Sequence, residues 1–329
     1  MGYVGGGPPI HKDRSGALME KRVLGSTGLA VSALGFGASA LGGVFAPVTV
    51  EDAQATVRAA WDLGINYMDV SPYYGRTQAE SVLGRALVGL PRDQLVLSSK
   101  AGRNDVAAFD FRAAAIVASV EASLGRLGTD YLDVVFLHDI EFAESDAAVR
   151  EGLEALARLQ RRGLIRYRGV SGLPLAALQQ AVAWGGVDVA LSYCHYCLND
   201  TTLADALPDL TRAGAAVINA APLAMGLLTR RGPPPWHPAP PLLKAAARRA
   251  AQEACRLGVP VEQLALQFAL SQASIPTTLV SAARPDHVAQ NVRWARERCD
   301  SAAVARVRAI LAPVQNMSWP SGRFAAPRP

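Results

Sequence analysis

Four residues with acid–base side chains close, or directly follow, three consecutive apolar runs of the chain: Asp69, Tyr74, Lys100 and His138. The set contains no nucleophile–base pair and no metal constellation, and it suits proton transfer at an oxygen. A tyrosine ionises near pH 10, too high for efficient exchange at neutrality, and an adjacent ammonium stabilises the phenolate. On this reading Tyr74 moves the proton and Lys100 lowers its pKa. Asp69 holds and offsets the lysine, while His138 hydrogen-bonds the reacting oxygen and orients the substrate. Singly, each has a plainer explanation: a cap, a packed ring, a snorkelling ammonium, a satisfied core imidazole. Together they argue for one site, because a buried Lys or Asp costs roughly several kcal/mol unless it is paired.

The elements that must position these groups follow from the hydrophobic pattern. Eight short apolar runs, Ala33–Gly37, Tyr67–Val70, Leu95–Lys100, Tyr131–Leu137, Ile165–Ser171, Val187–Tyr193, Ala215–Ala221 and Thr278–Ala282, read as strands buried on both faces, as an all-parallel sheet requires. Segments of helical period lie between them: Val50–Leu63, Ala79–Val88, Arg112–Leu127, Ala147–Arg162 and Pro174–Trp184. Strand then helix, eight times with short links, predicts a (β/α)8 barrel, whose active site lies at the carboxyl ends of the strands. Lys21–Leu24 and Leu29–Ser32, joined by Gly25-Ser26-Thr27-Gly28, predict an N-terminal hairpin plugging the barrel floor. Arg230–Pro241 is too rich in proline for a helix and predicts a long loop after the seventh strand. Helices near Val261–Gln272 and Ala302–Pro313 complete the chain. Residues 1–17, rich in Gly and Pro, read as a leader, with 18–329 as a single domain.

Half of the 329 residues are hydrophobic and 19% are charged, enough for a large core. The net charge of +5 is spread over solvated helix faces such as Arg161-Arg162 and Arg248-Arg249, with no aromatic-studded basic stripe, which argues against a nucleic-acid partner. No run approaches the roughly 18 apolar residues needed to cross a bilayer, so no membrane partner is expected. Four cysteines, Cys194, Cys197, Cys255 and Cys299, make no disulfide framework and point to a reducing, cytoplasmic compartment. Cys194-His-Tyr-Cys197 has redox or half-zinc spacing, but it ends a strand rather than opening a helix and has no second pair; a structural role is expected.

The stretch Gly64-Ile-Asn-Tyr-Met-Asp69-Val-Ser-Pro-Tyr-Tyr74-Gly75, with Glu80 and Leu83-Gly84 after it, Ser99-Lys100 and Leu137-His138, resembles the aldo-keto reductase family. The resemblance runs from about Lys21 to Trp294 and supplies all four members of the family's tetrad. The family's tyrosine directly precedes the glycine, which selects Tyr74 over Tyr73. Longer strings, Phe136-Leu-His-Asp-Ile-Glu-Phe142, Leu191-Ser-Tyr-Cys-His-Tyr-Cys-Leu-Asn-Asp200, Ala221-Pro-Leu-Ala-Met-Gly-Leu-Leu-Thr229 and Gly232-Pro-Pro-Pro-Trp-His-Pro238, resemble the family's plant-type L-galactose dehydrogenase branch. That resemblance implies oxidation of an aldose at its anomeric carbon to a lactone, as in ascorbate formation. Branches that oxidise L-fucose-type aldoses or pyridoxal share the framework.

The family binds NAD(P) without a Rossmann glycine fingerprint, and no convincing G-x-G-x-x-G stands between strand and helix here. By resemblance, Ser171 and Gly172 lie near the carboxamide and ring, and Pro222, Leu223, Gly226 and Leu228 line the dinucleotide channel. Ser281 to Asn291, with Arg284, Gln290 and Asn291, holds the adenosine end, where a helix starting near Pro285 offers free N–H groups. Relatives that prefer NADP carry a Lys or Arg pair in this loop. Only Arg284 is available here, with Asp286 nearby, so NAD is expected and NADP remains open. A sugar also needs hydrogen-bonding groups and an apolar wall, for which Asp139, Glu141 and Trp236 are candidates. The rival readings are a nicotinamide-binding regulatory barrel with little turnover and a reductase of small aldehydes or ketones.

Overall fold

A computed structural model describes residues 19–43 and 47–324. The leader and the domain start near Leu18 lie outside those residues. Eight parallel strands, β3 (Leu34–Gly37), β4 (Tyr67–Asp69), β5 (Val96–Ala101), β6 (Leu132–Leu137), β7 (Ile165–Gly172), β8 (Val189–Tyr193), β9 (Ala216–Ala220) and β10 (Thr278–Ser281), close into a barrel in chain order, with β10 pairing to β3. Every strand falls within two residues of its apolar run. The interior is a packed core of Tyr67, Val96, Val134, Phe136, Val189, Leu191, Ile218 and Leu279. Beneath it the hairpin of β1 (Lys21–Val23) and β2 (Ala30–Ser32) inserts Leu24, Leu29 and Val31, so the floor is plugged as the pattern predicts.

The outward faces of the strands pack on α1 (Val50–Asp62), α2 (Gln78–Leu87), α3 (Ala113–Leu127), α4 (Asp146–Arg161) and α5 (Leu175–Ala183). Local chemistry sets several starts: the Thr49 and Ser145 hydroxyls accept the backbone N–H of Asp52 and Ala148 at the first turns of α1 and α4. Two helices add to those named from the pattern. In α6 (Thr202–Arg212) the buried stripe Leu203, Ala206, Leu207, Leu210 carries the helix through Pro208. The proline-rich loop ends as Pro241 opens α7 (Pro241–Arg256), where its missing N–H costs nothing. Then α8 (Val261–Leu270), α9 (Pro285–Arg296) and α10 (Ser301–Leu311) follow. Among the described residues no helix is long and apolar enough to cross a membrane.

Backbone strain gathers at one end of the barrel. Of the eight non-glycine residues with positive φ among the described residues, seven, Arg76, Thr77, Asp139, Cys194, Ala221, Ala224 and Met225, lie in loops leaving the carboxyl ends of strands. Each such conformation costs about 1–3 kcal/mol and persists where function requires it.

Candidate active site

Strand register assembles the tetrad. Asp69 ends β4 opposite Ser98 of β5, and Lys100, two residues further, shares the inward face of Ser98. The Ser98 hydroxyl donates to Asp69 Oδ1 at 2.8 Å, and the Lys100 ammonium pairs with Asp69 Oδ2 and donates to the Val70 carbonyl at 3.0 Å. Lys100 is only 2% exposed and Asp69 4%. Burial works against the ammonium, but the Asp69 carboxylate and the Tyr74 hydroxyl beside it raise its pKa above the ordinary value.

Tyr74 is held by its backbone. Its N–H donates to the Ser71 carbonyl at 3.0 Å, and Gly75 takes φ +62°. A Cβ on Gly75 would sit 2.2 Å from the Gly42 carbonyl oxygen, so only glycine lets the two loops touch and fix the preceding tyrosine. The Lys100 nitrogen lies 5.1 Å from the Tyr74 ring centre and its charge favours the phenolate. The net outcome departs from the expected lowering: desolvation outweighs the Lys100 charge and pushes Tyr74 up to about 12. The Tyr73 ring also stands edge-on to His138, 5.9 Å between centres, but it is covered by the Arg103 guanidinium 3.9 Å over its face, whereas Tyr74 has the Lys100 ammonium beside it.

His138 follows β6, its ring edge-on to Tyr74 at 5.8 Å between centres. Nδ1 meets Ser71 Oγ at 3.0 Å, and that oxygen already accepts the Tyr73 N–H at 3.1 Å. We assign the Ser71 hydroxyl as the donor to Nδ1, the arrangement that leaves Nε2 as the N–H donor. Burial, then the charges of Lys100 and Arg103, hold the imidazole pKa well below its usual value. A lowered pKa means protonation only at lower pH, so the His138 imidazole is expected to keep the NMR shifts of the neutral Nε2–H tautomer from about pH 8 to about pH 5.5. A titration centred near pH 6.5 would contradict this.

The residues assigned to cofactor scatter in how free they are. The buried Ser171 donates to the Leu137 carbonyl at 3.2 Å. Leu223 and Gly226 belong to the strained turn 221–226, between the buried Pro222 and Leu228. Ser281 is committed to the fold: it donates to Gly37 O at 2.7 Å, accepts Ala40 N–H at 3.0 Å and meets Ser39 Oγ at 2.8 Å. Arg284 pairs with Asp286 at 3.1 Å, and Asp286 also accepts the His287 N–H in the first turn of α9. Asn291 is partly buried on the same helix, and the Gln290 amide nitrogen is buried without a partner while its oxygen accepts from Arg293.

Two substrate candidates are already engaged. Asp139, buried and at φ +53°, pairs with Arg103. Glu141 is wholly buried, its Oε1 accepting the Leu173 N–H at 3.1 Å and the Ser321 hydroxyl at 2.8 Å. Burial and the Asp139 charge push Glu141 up to about 7. Trp236 is 54% exposed and stacks on His237.

Three contributors escaped the pattern. Arg103 is an ordinary loop cation until Asp139 and Tyr73 fold against it. Glu80, within the family string, proves to be a buried brace, accepting Ser99 Oγ at 2.6 Å and Arg126 Nε at 2.7 Å and so fixing α2 behind the Tyr74 loop. His237 accepts the Ala239 N–H and donates Nε2–H to Ala224 O at 2.9 Å, tying the proline-rich loop to the strained turn. Cys194 and Cys197 are free and buried, and burial pushes both thiols up, the opposite of a reactive pair.

A (β/α)8 barrel with a buried Asp–Lys pair beside a half-buried tyrosine and a neutral histidine at its carboxyl mouth defines an acid–base oxidoreductase of the barrel type. The aldo/keto reductase family model matches residues 33–312, and the chain belongs to that family. It is 47% identical to the L-galactose dehydrogenase of Arabidopsis thaliana, over 92% of this chain and 98% of that one. It is 30% identical to a D-threo-aldose 1-dehydrogenase of a Pseudomonas species, over 82% and 91%. An aldo-keto reductase from Bacillus halodurans in its holo form superposes with a TM-score of 0.76 at 27% identity, covering 93% of this chain and 99% of that one.

Proposed function

We propose that the chain oxidises the anomeric carbon of L-galactose to L-galactono-1,4-lactone, with NAD preferred over NADP. The observation that carries this reading is the intact tetrad geometry in a chain nearly half identical to a plant L-galactose dehydrogenase along almost all of that protein's length. One barrel domain spanning 18–329, in the cytoplasm, goes with it.

The nicotinamide, when bound, supplies the acceptor for the hydride leaving the anomeric carbon. Ser171 and Gly172 would meet its ring, the 222–228 turn its diphosphate, and Gln290 and Asn291 its adenosine, toward which the Gln290 amide nitrogen, without a partner in the fold, would donate. The chain itself handles the proton. His138 Nε2–H donates to the sugar's anomeric oxygen and fixes it near Tyr74. The Tyr74 oxygen takes the hydroxyl proton, and Lys100 stabilises the phenolate before transfer. Asp69 keeps Lys100 charged and in place, and the burial of both strengthens the pair's field at Tyr74.

The NAD preference rests on Arg284 being already paired with Asp286. Asp286→Ala is expected to free Arg284 for a 2′-phosphate and raise kcat/KM for NADP about tenfold, the worth of one charge-assisted hydrogen bond. Unchanged discrimination would mean that Arg284 does not face the ribose.

Initial rates at 340 nm with NAD and NADP against L-galactose, L-fucose, D-arabinose, D-galactose and pyridoxal test the substrate. Preference for L-galactose with NAD supports the reading. Activity on another member keeps the mechanism and moves the substrate, and silence throughout favours a regulatory barrel.

A further inference from the structure

Residues 312–324, after α10, cross back over the carboxyl mouth of the barrel, held by loops from three strands. Asn316 donates its N–H to Asn199 O at 2.8 Å and accepts the Thr201 N–H at 3.0 Å, both in the loop after β8. Trp319 packs edge-on against His237, 5.1 Å between ring centres, in the loop after β9. Ser321 reaches Glu141 in the loop after β6, and Arg323 pairs with Asp146 at 2.5 Å at the start of α4.

Glu141 is the junction of this strap with the rest of the site. One oxygen serves two donors from separate parts of the chain, Leu173 at the end of β7 and Ser321 of the strap. The other oxygen is buried without a partner, packed so closely on Gly172 that a Cβ there would lie 2.5 Å away. On the opposite side a Cβ on Gly322 would meet the Glu141 carbonyl oxygen at 2.2 Å. A carboxyl group wholly removed from water, with half its hydrogen-bonding capacity unused, is costly, and no surface contact offsets it. Its geometry is explained by what it joins.

We propose that Glu141 is a positioning residue: it clamps the C-terminal strap to the end of β7, so that the wall over the sugar and the Ser171–Gly172 floor under the nicotinamide are set together. The proposal rests on the functional reading above for the identity of those two surfaces, but the clamp itself does not depend on turnover. A side chain that merely stabilised the fold would alter neither surface selectively.

Three variants separate the effects. Ser321→Ala removes only the strap's bond, and is expected to raise KM for the sugar about tenfold, leave kcat within about threefold and leave cofactor Kd unchanged. Glu141→Ala releases both ends, and is expected to raise KM for the sugar and cofactor Kd together, by about tenfold each. Glu141→Gln keeps an oxygen acceptor for Leu173 and Ser321 and is expected to restore both to within about threefold. Hydrogen exchange of a peptide covering residues 317–323, measured without substrate, is expected to speed up about tenfold in Ser321→Ala and Glu141→Ala and not in Glu141→Gln. Wild-type exchange and wild-type KM in Ser321→Ala would overturn the clamp, as would a Gln variant no better than Ala. If the Ala variant of Glu141 fails to fold, Ser321→Ala and Glu141→Gln still decide. If the enzyme has no sugar activity, the exchange and cofactor readouts test the clamp while the functional reading fails separately.

Discussion

Replacement of Tyr74 by phenylalanine is expected to reduce sugar oxidation to about a thousandth or less of the wild-type rate, with cofactor Kd changed by no more than about twofold. The substitution removes one oxygen and nothing that packs the loop, because the backbone contacts of Ser71, Gly75 and Gly42 hold this segment whatever the ring carries. Loss of a positioned acid–base group costs about 10²- to 10⁴-fold, and the hydride cannot leave efficiently without the proton path. Because burial pushes Tyr74 up to about 12, the base form becomes available only as pH rises. Wild-type kcat/KM for oxidation should therefore climb between about pH 7 and about pH 10, and the residual Tyr74→Phe rate should not. Single-turnover absorbance at 340 nm over that range measures both. If Tyr73→Phe showed the large loss instead, the proton path would have to run through the ring under Arg103.

The second large effect concerns Lys100. In Lys100→Met the charge that opposes desolvation at Tyr74 is gone, so the tyrosine pKa moves further upward and oxidation should fall about 10³-fold. The same change strands the Asp69 carboxylate, 4% exposed, with Ser98 as its remaining side-chain donor. Breaking a buried pair from one side costs about 3–5 kcal/mol. The double variant Asp69→Asn/Lys100→Met removes the stranded charge, so it should recover much of the stability in urea unfolding and none of the rate. Recovery of the rate in the double variant would show that Lys100 acts only as a brace for Asp69.

The tetrad was legible because it depends on two regularities that survive in sequence. Buried parallel strands are continuous apolar runs, and barrel chemistry lies where such runs end, so position alone places Asp69, Lys100 and His138 at one mouth of the barrel. The choice of Tyr74 over Tyr73 rests on the family resemblance, in which the tyrosine directly precedes the glycine, and the close approach of Gly75 to Gly42 gives that pattern a physical cause. What stayed hidden depends on long-range pairing. Asp139 and Glu141 look like ligands for a sugar in sequence, since nothing nearby in the chain claims them; Arg103 and Ser321, 36 and 180 residues away, do. The sign of the Tyr74 shift was also beyond sequence, because it sets a nearby charge against a depth of burial that only the fold determines.

This barrel is expected to transfer hydride from the anomeric carbon of an aldose while Tyr74 takes the proton. The most direct test is oxidation of L-galactose deuterated at C1 with NAD in a single turnover, following absorbance at 340 nm and the deuterium content of the reduced cofactor. A primary isotope effect, deuterium in the NADH and the lactone as product are expected, with the single-turnover rate falling about a thousandfold in Tyr74→Phe. Reduced cofactor without deuterium, or undiminished transfer in Tyr74→Phe, would contradict it.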